Sequence, residues 1–101
     1  MKTLKERKGL CLQERRFPLG GTFITRNALD RLNLADVQTS LQRHARGDWG
    51  ECWPADVQLN DEALRDGCRL LSAYQDRNGV KFWIITEADR STTTILLPVD
   101  Y

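Results

Sequence analysis

A chain of 101 residues with 41% hydrophobic and 29% charged side chains has room for one domain with a modest core. Its net charge of +1 argues against bulk attraction to nucleic acid, and no apolar run approaches the roughly 20 residues that span a bilayer. Three cysteines, Cys11, Cys52 and Cys68, lie 41 and 16 residues apart, which argues against a disulfide framework and against a zinc site alike.

In chain order, residues 1–16 form a basic arm. It holds Lys2, Lys5, Arg7, Lys8, Arg15 and Arg16 against Glu6 and Glu14, a net of +4 that leaves −3 for the rest. Lys2, Lys5, Arg7 and Lys8 are its candidate phosphate contacts; a solvated tail is the plainer reading. The start, MKTLKERKGLCLQ, lacks the apolar segment of a secretory signal, so a reducing cytoplasm is the expected home.

Residues 17–101 read as a single domain. Pro18-Leu19-Gly20-Gly21 is a loop, and Thr22-Phe23-Ile24 suits a short strand at a sheet edge. Thr25 is a good N-cap for a short helix over Asn27–Leu32. A longer helix is expected from Ala35 or Asp36 to Arg46. Leu34, Val37, Leu41 and Ala45 recur there at spacings of three and four, and Gly47 follows as a left-handed stop. After an aromatic loop, Asp48–Trp53, Pro54 is pre-set for a first helical turn. A third helix then covers Asp56–Arg65, with Val57, Ala63 and Leu64 inward and Gly67 ending it.

The last third is strand. Cys68 to Gln75 alternates with period two, Asp76-Arg77-Asn78-Gly79 supplies the turn of a two-residue hairpin in which Asn and Gly tolerate positive φ, and Val80–Thr86 is rich in residues that pack on a pleated surface. Val80, Phe82 and Ile84 share one face of that strand, and Lys81, Trp83 and Ile85 the other. Large apolar groups on both faces mark it as the central strand. Thr92 to Leu97 is a third β-branched run, closed by Pro98. Helices first and strands after give an α+β fold. The expected architecture is N-terminal helices packed on a C-terminal antiparallel meander of three or four strands.

Four strings, Gly47-Asp48-Trp49-Gly50, Asn60–Leu64, Leu70–Tyr74 and Trp83–Ser91, resemble one family of short uncharacterised proteins of bacterial plasmids, integrated elements and phages. The resemblance covers about residues 22–101. It implies a mobile-element protein acting inside a bacterium, with no activity attached.

Candidate chemistry is sparse. His44 is the single histidine, at the edge of the apolar stripe of the second helix; no second histidine or suitably spaced cysteine joins it as a metal ligand. No metal and no cofactor are expected. Arg69, Tyr74, Lys81 and Arg90 lie on or near the strands. A small α+β protein with a cationic sheet is similar in outline to RelE-type endoribonucleases, which stabilise a phosphoryl transition state with cations. That likeness casts Arg69 and Lys81 as the charges, Tyr74 or His44 as the proton-transfer group, and Trp83 as a stacking face. Glu87 and Asp89 flank Arg90, which reads as an ion-paired turn residue, and such carboxylates suit a nucleic-acid groove poorly.

The loop points elsewhere. Trp49 and Trp53, with Asp48 and Glu51 beside them, make an acidic-aromatic patch of the kind that anchors protein interfaces, with Arg90 as a further contact. Two readings follow. The first is a binding protein that occludes a host protein complex, an anti-defence inhibitor of the anti-CRISPR or antirestriction type. The alternative is a RelE-like metal-independent endoribonuclease toxin.

Overall fold

The structure is a computed structural model and describes residues 15–101; the expectations for Lys2, Lys5, Arg7 and Lys8 lie outside the described residues. Along the chain come β1 (Gly21–Ile24), α1 (Arg26–Arg31), α2 (Leu34–Ala45), α3 (Pro54–Asp66), β2 (Leu70–Gln75), β3 (Lys81–Thr86), β4 (Thr92–Leu96) and a 3₁₀ turn at Pro98–Asp100. This is an α+β fold, helices largely before strands. Among the described residues no helix is long and apolar enough to cross a membrane.

The sheet order is β1-β4-β3-β2. The meander β2-β3-β4 is antiparallel as expected, and β3 lies inside the sheet. The sheet as a whole is mixed, however, because β1 pairs with β4 in parallel. Three helices and the β2-β3 hairpin separate β1 from β4, so chain direction at that edge is free of any hairpin constraint.

Local chemistry places the elements. Thr25 caps α1 by accepting from the Ala28 amide at 3.2 Å, and Asn33 caps α2 by accepting from the Asp36 amide at 3.1 Å. The hairpin differs from the expected two-residue turn. Asp76 and Val80 close a three-residue loop in which Gly79, at φ +82°, takes the left-handed position and Asn78 does not. The Asp76 carboxylate accepts from the amides of Asn33, Asn78 and Val80, all at 2.9 Å, tying the loop to the start of α2.

One face of the sheet is covered by α1 and α2. Phe82, Ile84, Ile95 and Tyr74 meet Ala28, Leu32 and Val37 there. A second cluster joins Phe17, Leu19, Ala45, Trp49 and Leu70 with Val57, Ala63 and Leu64 of α3, and Leu41 packs against both. On the opposite face, Trp83 lies edge-on to Tyr101 at 5.6 Å between ring centres.

The outer edge of β2 is blocked. Ala73 accepts from the Glu51 amide at 2.7 Å and donates to the Trp49 carbonyl at 3.2 Å. Next to it, the Asn60 side chain imitates a strand, donating to Leu71 O at 2.6 Å and accepting from Leu71 N at 3.2 Å. An edge so occupied offers nothing to a second sheet. Asn60→Ala leaves both Leu71 groups unpaired and is expected to cost about 2 kcal/mol, read from urea unfolding. Asn60→Asp keeps one acceptor but sets a charge against the Leu71 carbonyl, and does no better.

Candidate functional site

Alternation along β2 turns Ser72 and Tyr74 toward α2, and register sets Ser72 opposite Ile84 and Leu70 opposite Thr86. From the last turn of α2, His44 enters the same layer and is 0% exposed. Its Nδ1 meets Ser72 Oγ, and its Nε2 lies 2.9 Å from Thr86 Oγ1. Thr86 Oγ1 is 2.7 Å from Thr93 Oγ1, which donates to the Leu19 carbonyl at 2.6 Å.

The carbonyl at the end of this chain orders its protons. Leu19 O can only accept, so Thr93 spends its hydroxyl proton there and accepts from Thr86. Thr86 in turn accepts from His44, which therefore carries its proton on Nε2. Ser72 then donates to the bare Nδ1. Phe17 and Trp49 close the space around the imidazole edge-on, at 5.3 and 5.7 Å. Burial, with the Arg90 charge second, holds its pKa down from 6.5 to about 3. His44 is a neutral core group with every ring nitrogen used, where the sequence suggested a partly buried or surface histidine near the helix C-terminus.

Tyr74 is also a core residue. Its hydroxyl donates to the Asp48 carbonyl at 2.6 Å, and the Arg43 guanidinium lies 5.0 Å from its ring centre. Burial pushes its pKa well above the ordinary phenol value. Arg69 and Lys81 belong to the other side of the sheet. Arg69 pairs with Glu87 at 3.1 Å and donates to the Tyr101 hydroxyl at 3.1 Å. Glu87 hydrogen-bonds and raises the pKa of Arg69. Lys81 stands exposed opposite Gln75, at the far end of the ladder. Six residues of strand put Arg69 and Lys81 roughly 20 Å apart. The four groups of the ribonuclease reading are not brought together.

Comparison with protein-family models, with curated proteins and with solved structures finds no match.

The loop residues divide in the same way. Trp49 is 3% exposed, stacks on Phe17 and donates from Nε1 to Asp61 at 2.9 Å, so it fills the core and is closed to a partner. Arg90, in a left-handed conformation at φ +61°, spends its guanidinium on the carbonyls of Ala63, Cys68, Glu87 and Ala88. It ties the β3–β4 turn to the end of α3 and lies over Phe17, in place of an ion pair or an external contact. Asp48 is held by Arg43 in a two-point contact, 2.8 and 3.2 Å, which lowers its pKa and raises that of Arg43. Glu51 remains exposed, and Trp53 at the N-cap of α3 is 78% exposed.

Among the described residues no three His, Cys, Asp or Glu side chains group as a metal ligand set. Sequence reasoning missed the Ser72–His44–Thr86–Thr93 relay. Its signal was present in the alternation: Thr86 and Thr93 carry the inward parity of Ile84 and Ile95, and inward hydroxyls need partners.

Proposed function

We propose that this chain works by binding rather than by chemistry: a mobile-element protein that occludes a host protein complex in the bacterial cytoplasm, as an anti-defence inhibitor of the anti-CRISPR or antirestriction type. The mobile-element context rests on the motif resemblance. The observation that carries the mode of action is Trp53, an aromatic side chain left in solvent at the head of α3. Exposing that much apolar surface is unfavourable unless a partner covers it. Glu51 and Asp56 lie beside it in the chain, so a cationic surface is its natural complement. Trp53 and Glu51 form the contact; Trp49 and Arg90 support it from within.

Affinity capture from a bacterial host with the full chain is expected to recover a defined protein complex. Trp53→Ala should weaken that complex by about thirtyfold, the effect of truncating an interface anchor. Capture indifferent to Trp53→Ala removes the assignment. RNA cleavage abolished by Arg69→Ala or Lys81→Ala decides for the RelE-like alternative instead.

A further inference from the structure

The two edges of the sheet are treated oppositely. β2 is sealed, whereas among the described residues no segment pairs with the outer side of β1. Gly21 donates to Ser91 O at 2.9 Å and Thr25 to Ile95 O at 3.0 Å, so residues 21, 23 and 25 aim their main chain at β4. By parity, the amides and carbonyls of Thr22 and Ile24 point away from the sheet.

A trough runs beside this edge, along the outward side of α2. Its apolar end, about 230 Å³, is walled by Phe23, Leu29 and Leu34, which are 58, 44 and 50% exposed. Gln38 and Leu41 continue it into a smaller hollow that reaches Arg15. Gln38 and Gln42 carry it on to Arg46. Among the described residues no carboxylate lines any of the three sections, although these residues carry more acids than bases. The trough is therefore apolar at one end, amide-lined in the middle and cationic at the other.

We propose that this trough is a docking site for an extended acidic peptide, which adds to β1 as a fifth strand. Thr22 and Ile24 supply the main-chain hydrogen bonds, as in strand addition generally. Alternate side chains of the added strand face α2, where an aliphatic residue fills the space between Ile24 and Leu34. The twelve steps from Leu34 to Arg46 rise about 18 Å, which an extended peptide covers in five or six residues. A glutamate or aspartate at that spacing reaches Arg15 and Arg46. Charge decides against a second copy of the chain as occupant, since the cationic end calls for a carboxylate and among the described residues the trough of a second copy has none to offer. The site is separate from Trp53.

The test uses the full chain and two synthetic octapeptides alternating isoleucine and threonine, one ending in two glutamates and its twin in two lysines. The glutamate peptide is expected to bind at least tenfold more tightly than the twin, and to weaken as salt rises. Leu34→Asp places an acid in the first turn of α2, which helix electrostatics tolerate, and should cost at least tenfold in peptide affinity. Arg46→Gln should erase the preference between the twins while keeping the Leu34 dependence. Trp53→Ala should leave peptide binding unchanged, so failure here and failure of the Trp53 contact are separable. Equal binding of the twins, silence toward both at millimolar concentration, or a dimer dissolved by Leu34→Asp would each overturn the assignment.

Discussion

Between pH 7 and pH 5 the folded protein is expected to lose about 2 kcal/mol of stability, nearly all of it through His44. Burial holds the imidazole pKa down from 6.5 to about 3 in the folded state. The unfolded chain takes up a proton as the pH drops through 6.5; the folded chain does not until near 3. The unfolded state therefore binds more protons across that window, and stability, full above 6.5, declines as the solution is acidified. The slope approaches about 1.4 kcal/mol per pH unit, and the loss totals roughly 4–5 kcal/mol by pH 3. That is a large share of a small domain's stability. Asp36, Asp48, Asp76, Asp89 and Asp100 are all held below 3.8 by hydrogen bonds, and they too are stabilising above that value. Their loss has the same sign but falls mainly below pH 4, so the interval from 7 to 5 isolates His44. Urea unfolding at the two pH values measures it, and His44→Leu should flatten the difference while lowering stability at pH 7. Since His44 is the single histidine, its ring resonances offer a second reading: they should stay in the neutral, Nε2-protonated position down to about pH 4. A normal titration near 6.5 would contradict the buried relay.

Gly50→Ala is expected to cost more than about 3 kcal/mol, the sum of a left-handed backbone, two lost hydrogen bonds and a steric conflict. Gly50 sits at φ +72°, and a Cβ there would lie 2.0 Å from Ala73 O and 2.7 Å from the Tyr74 ring. Neither neighbour can yield cheaply. Ala73 is bonded on both sides of Gly50, to the Trp49 carbonyl and the Glu51 amide, while Tyr74 is anchored to Asp48. Moving the loop would reopen the β2 edge and loosen Trp49 above His44. Gly67→Ala is the control. Its φ is +75°, yet nothing lies within 4 Å of the added carbon, so only the backbone term of about 1 kcal/mol applies. Thermal or urea unfolding of the two variants compares them directly. Equal losses would mean that the close approach at Gly50 is not tight.

Much of the fold was legible in residue order. The caps at Thr25 and Gly67, the stripe of Val37, Leu41 and Ala45, and the alternation of Phe82 and Ile84 are signals carried within one element. Hydrogen bonding and burial over a few residues generate them, so they survive without knowledge of neighbours. The site was far less legible. His44 looked peripheral on the helical wheel, and Asn60 looked like an exposed amide beside the inward Val57, Ala63 and Leu64. Each is decided by what stands opposite: inward hydroxyls from three strands for His44, and an unpaired strand edge for Asn60. Arg90 read as a turn cation between two acids. Four carbonyls from distant and local segments claimed it, because together they hold a guanidinium better than solvated carboxylates do.

By itself the sequence determined the helices, the meander and the central place of β3, since periodicity and turn chemistry act over a handful of residues. Only the tertiary structure decided that β1 joins β4 in parallel, that Trp49 is core while Trp53 stands in solvent, and that one sheet edge is sealed and the other left beside a cationic trough. Those outcomes depend on which surfaces meet across 20 to 70 residues of chain, and side-chain pattern within an element carries no record of its partner.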